Sequence, residues 1–346
     1  MDIIGLLEET VRKGASDLHL LEGLPPTLRV DGDLLPLGAK PLTSADLYSF
    51  LHQLLPEDRK NRFLKEKELD FAYEFKGRAR FRINLYVQRG SIAFAIRFIP
   101  YEIPKLEDLN LPPVLKELTR RQSGLILVTG PTGSGKSTTL ASMINLINEE
   151  RSLHVVTIED PIEYVYTPRR CVISQREVGE DTHSFGNALK HVLRQDPDVI
   201  LIGEMRDLET MQAAITAAET GHLVFSTLHT TSAPQTVDRI IDVFPPHQQS
   251  QIRSQLSITL EAVITQRLLK RAGGGRVPAC EILIATPALR NLIREGKTHQ
   301  IYSLMELGRE YGMQTMEDAL NDLLRKRQIT REEASSVAKM VEYLKG

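Results

Sequence analysis

The sequence predicts an α/β fold built on a mainly parallel sheet, preceded by a smaller α+β unit. Three observations carry this. From about residue 125, short apolar runs alternate with helical patterns, which implies parallel strands with helices on both faces. The glycine-rich loop "GPTGSGKS" (130–137) joins the first of these runs to the first helix. A later run, "VILIGEMRD" (199–207), ends on an acid.

In chain order, "MDIIGLLEETVRKG" reads as an amphipathic helix whose acids argue against a secretory signal. "LRVDGDLLPL" (28–37) has apolar residues on either side of Asp31-Gly32, a hairpin signal. In 41–55, Thr43 is a candidate N-cap, and Leu47, Phe50, Leu51 and Leu54 share one helical face. Residues 78–100 read as two strands around Arg89-Gly90-Ser91. Phe81, Ile83, Leu85 and Val87 line one face of the first; Ile92, Phe94, Ile96 and Phe98 line one face of the second. Arg82 and Arg97 point away from those faces.

Residues 1–99 are therefore expected to form the N-terminal domain. Residues 100–113, with four prolines in fourteen residues, are expected to be a linker. Residues 114–346 are expected to form the second domain. Its strands are 125–128, 154–160, 199–203 and 222–227, and its helices 137–148, 182–195 and 208–220. The region 247–346 is expected to be helical throughout, with Thr286-Pro287 and Thr330 with Glu333 as helix starts.

Composition narrows the function. Lys plus Arg total 43 and Asp plus Glu 45, a balance that does not support a broad nucleic-acid-binding face. The two cysteines, Cys171 and Cys280, lie far apart; a four-thiolate zinc site is excluded and a disulfide framework disfavoured. No apolar run approaches the roughly 20 residues needed to span a bilayer. A cytoplasmic location is the expectation.

The loop fits G-x-x-x-x-G-K-[ST] in full. Gly130, Pro131, Thr132, Gly133, Ser134, Gly135, Lys136, Ser137 and Thr138 are the candidate nucleotide-binding residues. Glycines let the backbone curl so that N–H groups face phosphate oxygens; Lys136 reaches the β- and γ-phosphates of ATP, and Ser137 ligates Mg²⁺. Ligands of parallel sheets bind beyond the strands' carboxyl ends, where Glu204 also falls. It contacts magnesium through water or polarises the attacking water. "TIEDPIEY" (157–164) offers Glu159, Asp160 and Glu163 there. Glu163 is selected for the magnesium or water network, with a solvated charged turn as the plain alternative. His229 is selected as a γ-phosphate contact or sensor over a surface role, while for His222 a helix-end role competes closely.

These stretches resemble the secretion ATPases of type II secretion and type IV pili. "VTIEDPIEY" resembles that family's Asp box, "DVILIGEMRD" its atypical Walker B and "TGHLVFSTLHT" its His box. "GASDLHL" (14–20), "QREVGEDTHSF" (175–185), "GEMRDLETM" (203–211), "GMQTMEDAL" (312–320) and "ALRNLIREGK" (288–297) resemble its pilus-retraction branch. The resemblance implies a PAS-like N-terminal domain, a RecA-like P-loop ATPase domain and a homohexameric ring. It also implies ATP and Mg²⁺ as cofactors, with Arg82 and Arg97 as arginines brought to the phosphates. The partners it implies are an inner-membrane pilus platform protein and paralogous pilus ATPases.

Four alternatives are weighed against it. Assembly ATPases resemble longer chains carrying a four-cysteine zinc motif, and an accessory retraction paralogue is disfavoured by the 288–297 motif. A RecA-like DNA translocase needs cationic grooves and stacking platforms, whereas this chain is near neutral and has no Trp. A small-molecule kinase leaves the arginine strands unexplained.

Overall fold

The computed structural model describes residues 2–30, 32–75, 79–100 and 102–343, the side chains of Pro100 and 338–343 excepted. The chain divides into two compact units: Met1–Glu102 with Pro161–Val165, and Ile103–Asp160 with Tyr166–Gly346.

The first unit contains α1 (Ile3–Arg12), β1 (Asp17–Leu20), β2 (Thr27–Val30), β3 (Asp33–Pro36), α2 (Ser44–Leu54), α3 (Glu57–Glu66), β4 (Glu68–Phe75), β5 (Ala79–Gln88) and β6 (Ser91–Pro100). Its sheet has the order β3-β2-β1-β6-β5-β4 and is antiparallel throughout. The β2–β3 hairpin pairs Val30 with Asp33; Asp31 of its turn, and Arg78 of the predicted strand 78–88, lie outside the described residues. Between β5 and β6, Arg89 and Gly90 both take positive φ (49° and 82°), the type I′ geometry that matches strand twist. Helix α2 buries Leu47, Phe50, Leu51 and Leu54 and starts on a reciprocal Thr43–Asp46 capping box. With Phe81, Ile83, Leu85, Ile92, Phe94 and Ile96 from the central hairpin, they build one core. Val87 is the exception on its face, exposed at the strand end.

The second unit contains α4 (Val114–Leu118), β7 (Gly124–Thr129), α5 (Lys136–Glu150), β8 (His154–Glu159), β9 (Val172–Glu177), α6 (Phe185–Val192), β10 (Val199–Ile202), α7 (Leu208–Glu219), β11 (Leu223–Leu228), α8 (Ala233–Asp242) and α9 (Pro246–Thr259). It continues through β12 (Leu260–Lys270), β13 (Arg276–Ile284), α10 (Pro287–Glu295), α11 (Ile301–Leu307), α12 (Met316–Arg325) and α13 (Arg331–Tyr343). The sheet order is β13-β12-β7-β11-β10-β8-β9, parallel except for the β12–β13 hairpin. Strands β7, β10 and β11 are buried along their whole length, which is why they read as continuous apolar runs. Ile103 onward belongs to this unit: Leu106 is buried and the Pro104 carbonyl accepts from Ser142 Oγ.

The helical reading of 247–346 is corrected by β12 and β13. Both strands are buried over most of their length, so the period-two alternation that betrays a half-exposed strand is absent. The turn carries Gly273, Gly274 and Gly275, all at positive φ. Strand β9 was likewise unread. The helix starts at Thr286 and Thr330 are present, Leu289 N–H reaching Thr286 Oγ1 and Glu333 N–H reaching Thr330 Oγ1. The Glu333 carboxylate bonds Lys270 N–H instead of closing a capping box.

Phe225 lies fully buried on β11 in the middle of the sheet. Phe225→Ala is expected to cost about 3–5 kcal/mol of stability, read as a shift of the denaturant midpoint at unchanged slope.

Candidate active site

The phosphate loop leaves β7 and closes into α5 at Lys136. Gly130, Gly133 and Gly135 have φ of 136°, 78° and 89°, values that side chains with a Cβ rarely adopt. Two of them are also packed against β12. A Cβ on Gly130 would stand 2.2 Å from the Gln266 carbonyl oxygen, and one on Gly135 2.8 Å from Gln266 Nε2. Ser134 and Lys136 are buried, while Thr132 and Gly133 are exposed at the rim and Pro131, Ser137 and Thr138 half-buried. Lys136 Nζ donates to the carbonyls of Gly130 and Pro131 at 2.8 and 3.1 Å. The buried Ser134 hydroxyl has no hydrogen-bond partner among the described residues. A curled loop with an ammonium and an unsatisfied hydroxyl fits a phosphate chain.

Strands β10 and β11 deliver the acid. Gly203 N–H bonds the Ile158 carbonyl at 2.8 Å, Thr227 Oγ1 bonds the Gly203 carbonyl at 2.6 Å, and Met205 N–H bonds the Thr227 carbonyl at 3.1 Å. This clip holds the chain ends together. As a result Glu204 Oε1 lies 3.2 Å from His229 Nε2, and Glu204 Oε2 lies 2.8 Å from Arg206 Nη2. Burial pushes the Glu204 carboxyl up, but the Arg206 hydrogen bond and the charges of His229 and Arg206 outweigh it and hold it below the usual range. Glu204 is thus an ionised acid with two donors. Sequence reasoning directs Glu204 and His229 separately toward the phosphates; the structure joins them and adds Arg206, to which the sequence gives no role.

The remaining selected residues fall as follows. Glu163 lies in Pro161–Val165, which groups with the first unit. The acid at the end of β8 is Glu159, buried, its Oε1 accepting from Thr157 and Gln175 at 2.7 and 3.3 Å. Gly203 allows close approach there: a Cβ on it would stand 3.3 Å from Glu159 Cα. His222 closes α7, its Nδ1 2.9 Å from the Ala217 carbonyl, which favours the helix-end role. Arg82 and Arg97 are direct cross-strand partners on β5 and β6. Arg97 Nε lies 3.0 Å from Asp17 and Arg82 Nε 4.0 Å from Asp70.

Gln266 is the residue that sequence reasoning missed. It is 3% exposed; its Nε2 donates to the Ser134 carbonyl and its Oε1 accepts from Thr139 Oγ1, both at 2.8 Å. Only recognition of the hairpin hinted at by the three glycines would have brought it beside the loop. As for metals, no cluster of three or more His, Cys, Asp or Glu among the described residues is arranged to hold one. The half-buried Ser137, next to Lys136 in the first turn of α5, is the hydroxyl that would hold a phosphate-carried Mg²⁺. No described helix is long and apolar enough to cross a membrane.

Comparison with known proteins extends this geometry. Residues 101–336 match the family model described as type II/IV secretion system protein. The chain is 49% identical over 342 residues to the type IV pilus retractation ATPase PilT of Pseudomonas aeruginosa, covering 99% of each chain. It is 48% identical over 333 residues to a twitching motility protein of Neisseria gonorrhoeae, covering 96% of this chain and 89% of that one. A crystal structure described as the pilus retraction motor PilT with bound ADP superposes with a TM-score of 0.89 at 49% identity, covering 96% of each chain.

Because the folded-state Glu204 carboxyl lies below its ordinary value, its contribution to stability is present above the ordinary carboxylate range. That contribution is lost as pH falls through the folded value. Between about pH 6 and pH 3 the melting temperature of Glu204→Gln should therefore fall less than that of the wild type, measured by thermal scans across that range.

Proposed function

This chain belongs to the type II/IV secretion system protein family, and from that premise we propose that it is the ATPase motor that retracts type IV pili and powers twitching motility. It hydrolyses ATP as a homohexamer and acts on an inner-membrane platform protein of the pilus machine. The observation that carries the catalytic reading is the Glu204–His229–Arg206 group at the carboxyl end of the sheet that also bears the phosphate loop. Likeness over the whole length of a pilus retraction ATPase supports the biological one.

The chain's own residues divide the work. Loop N–H groups and Lys136 hold the phosphates; Lys136 exchanges the Gly130 and Pro131 carbonyls for them. Ser137 would hold a magnesium ion together with the phosphates, and such an ion would supply neutralisation of their charge. Ionised Glu204 accepts a hydrogen bond from the attacking water and orients it. His229, whose Nε2 lies 3.2 Å from Glu204 Oε1 and donates to that carboxylate, senses the γ-phosphate through this contact. Glu163 is assigned to the water network on its motif alone. Arg82 and Arg97 serve a neighbouring subunit's phosphates, neutralising the charge that develops on transfer.

Glu204→Gln keeps size and removes charge, so Mg-ATP affinity should be near normal while turnover falls on the order of 10²–10⁴-fold. Calorimetric binding beside a phosphate-release assay checks this; loss of binding would make Glu204 a metal anchor instead.

The arginines are tested by mixing. Arg82→Ala and Lys136→Ala proteins, each inactive alone, should regain ATPase activity when co-assembled, because some sites then join an intact loop to an intact arginine. Trans arginines can be worth about 10³–10⁵ in turnover, so a minority of restored sites is measurable. Ordinary activity in Arg82→Ala alone rules the assignment out. Deletion in the host separates the biology: piliated, non-motile cells support retraction, and bald cells point to assembly.

A further inference from the structure

The phosphate loop is held from behind by a strand outside its own motif. Gln266 sits on β12, which lies beside β7 in parallel register, Thr265 opposite Thr129. Those two residues are bonded hydroxyl to hydroxyl at 2.9 Å. One residue on, the Gln266 amide spans the loop: its Nε2 bonds the Ser134 carbonyl and its Oε1 takes the Thr139 hydroxyl from the first turn of α5. Both ends of the loop's turn into the helix are therefore tied to one buried side chain.

The geometry points to Gln266 as the positioning residue that sets the orientation of the phosphate-binding amides. The argument is covalent. In a trans peptide the carbonyl and the following N–H point in opposite directions. Drawing the Ser134 carbonyl toward β12 turns the Gly135 N–H the other way, into the cradle. The positive φ of Gly135 and the 2.8 Å approach of its missing Cβ to Gln266 Nε2 belong to the same arrangement. The Gln266 backbone takes part too, since its carbonyl oxygen is what a Cβ on Gly130 would strike. Lys136, by contrast, holds its carbonyls with an ammonium that a phosphate can take away. Gln266 has no such competitor: both ends of its amide are occupied, and the residue is buried.

This inference rests on the nucleotide reading of the loop and assigns a further residue to it. Gln266 touches the loop and not the reacting atoms, so its loss weakens ground state and transition state alike. That is the signature of a raised KM at unchanged kcat.

The test uses full-length protein. ADP binding is measured by calorimetry, KM and kcat by phosphate release, and the melting temperature without nucleotide, for wild type, Gln266→Met and Lys136→Ala. Methionine keeps the volume and removes both hydrogen bonds, leaving the Ser134 carbonyl buried without a donor. The expected result is a rise of roughly 10- to 100-fold in the ADP dissociation constant and in KM, with kcat within about threefold and a nucleotide-free melting temperature lowered by a few degrees, the cost of the unserved Ser134 carbonyl in a protein that still folds. Unchanged affinity, or a fall in kcat at unchanged KM, overturns the inference. Should Gln266→Met not fold, Gln266→Asn, whose shorter amide cannot span from β12 to the loop, is judged by the same criteria. Failure of the wild type itself to bind ADP overturns the nucleotide reading, whereas binding by wild type, loss in Lys136→Ala and no change in the Gln266 variants overturns this inference alone.

Discussion

A loop that binds phosphate with its backbone must turn its N–H groups inward, and so must turn carbonyls outward into protein. Buried carbonyls need donors. Here the Ser134 carbonyl is served by Gln266 and the Gly130 and Pro131 carbonyls by Lys136. In the proposed reading the first donor is fixed and the second exchangeable, so the loop would keep its shape while its ammonium changes partners. The neighbouring fold follows from this. Strand β12 must lie against β7 to bring Gln266 into reach, and the β12–β13 hairpin anchors it there. Glu281 on β13 then bonds Ala233 N–H at the start of α8. Since Glu281 pairs with Thr265, it lies on the face opposite Gln266, and α5 and α8 are tied to the two faces of one hairpin.

The acid side of the site obeys the same logic of strand ends. Glu204 follows a four-residue strand, too short to position a side chain beyond its own end. The Thr227 hydroxyl and the Met205 N–H close that gap by clipping β10 to β11, which brings His229, one residue past β11, to the carboxylate. Gly203 is needed because β8 runs close beside it; a side chain there would press on the Glu159 backbone. Arg206 completes the group and is itself held charged, the Glu204 hydrogen bond raising its pKa.

How much of this was legible follows from periodicity. The face of α2, the strands β7, β10 and β11 and the phosphate loop were readable because each pattern is local: four apolar residues on one stripe, a buried run, a glycine spacing. Helix α7, expected over 208–220 and found over Leu208–Glu219, was likewise readable from a local pattern that stops at Gly221. The hairpin 260–284 was not legible, because burial on both faces erases the alternation that marks a strand. With it went Gln266, whose role comes from a residue 132 positions away. Arg206 was visible but uninterpretable, since only the fold shows that its guanidinium turns back onto Glu204.

The first unit raises a related question of how two arginines come to stand side by side. Arg82 and Arg97 face each other across β5 and β6, an arrangement in which like charges repel. The sheet supplies acids from the strands on either side. Asp17, opposite Arg97 on β1, lies 3.0 Å from it and 4.0 Å from Arg29, and also accepts from Ser16 Oγ at 2.8 Å. Asp70 on β4 stands 4.0 Å from Arg82. These pairs are too exposed to be strong: the Arg97 side chain keeps 59% of its surface in water, and such contacts are worth about 0–1 kcal/mol. The acids therefore relieve the repulsion without capturing the arginines. A polyphosphate carries more charge than one aspartate and accepts both N–H groups of a guanidinium at once, so it outcompetes them. Weak pairing on stiff strands is what the proposed role of Arg82 and Arg97 requires, because an arginine locked into a buried ion pair could not be released to a phosphate.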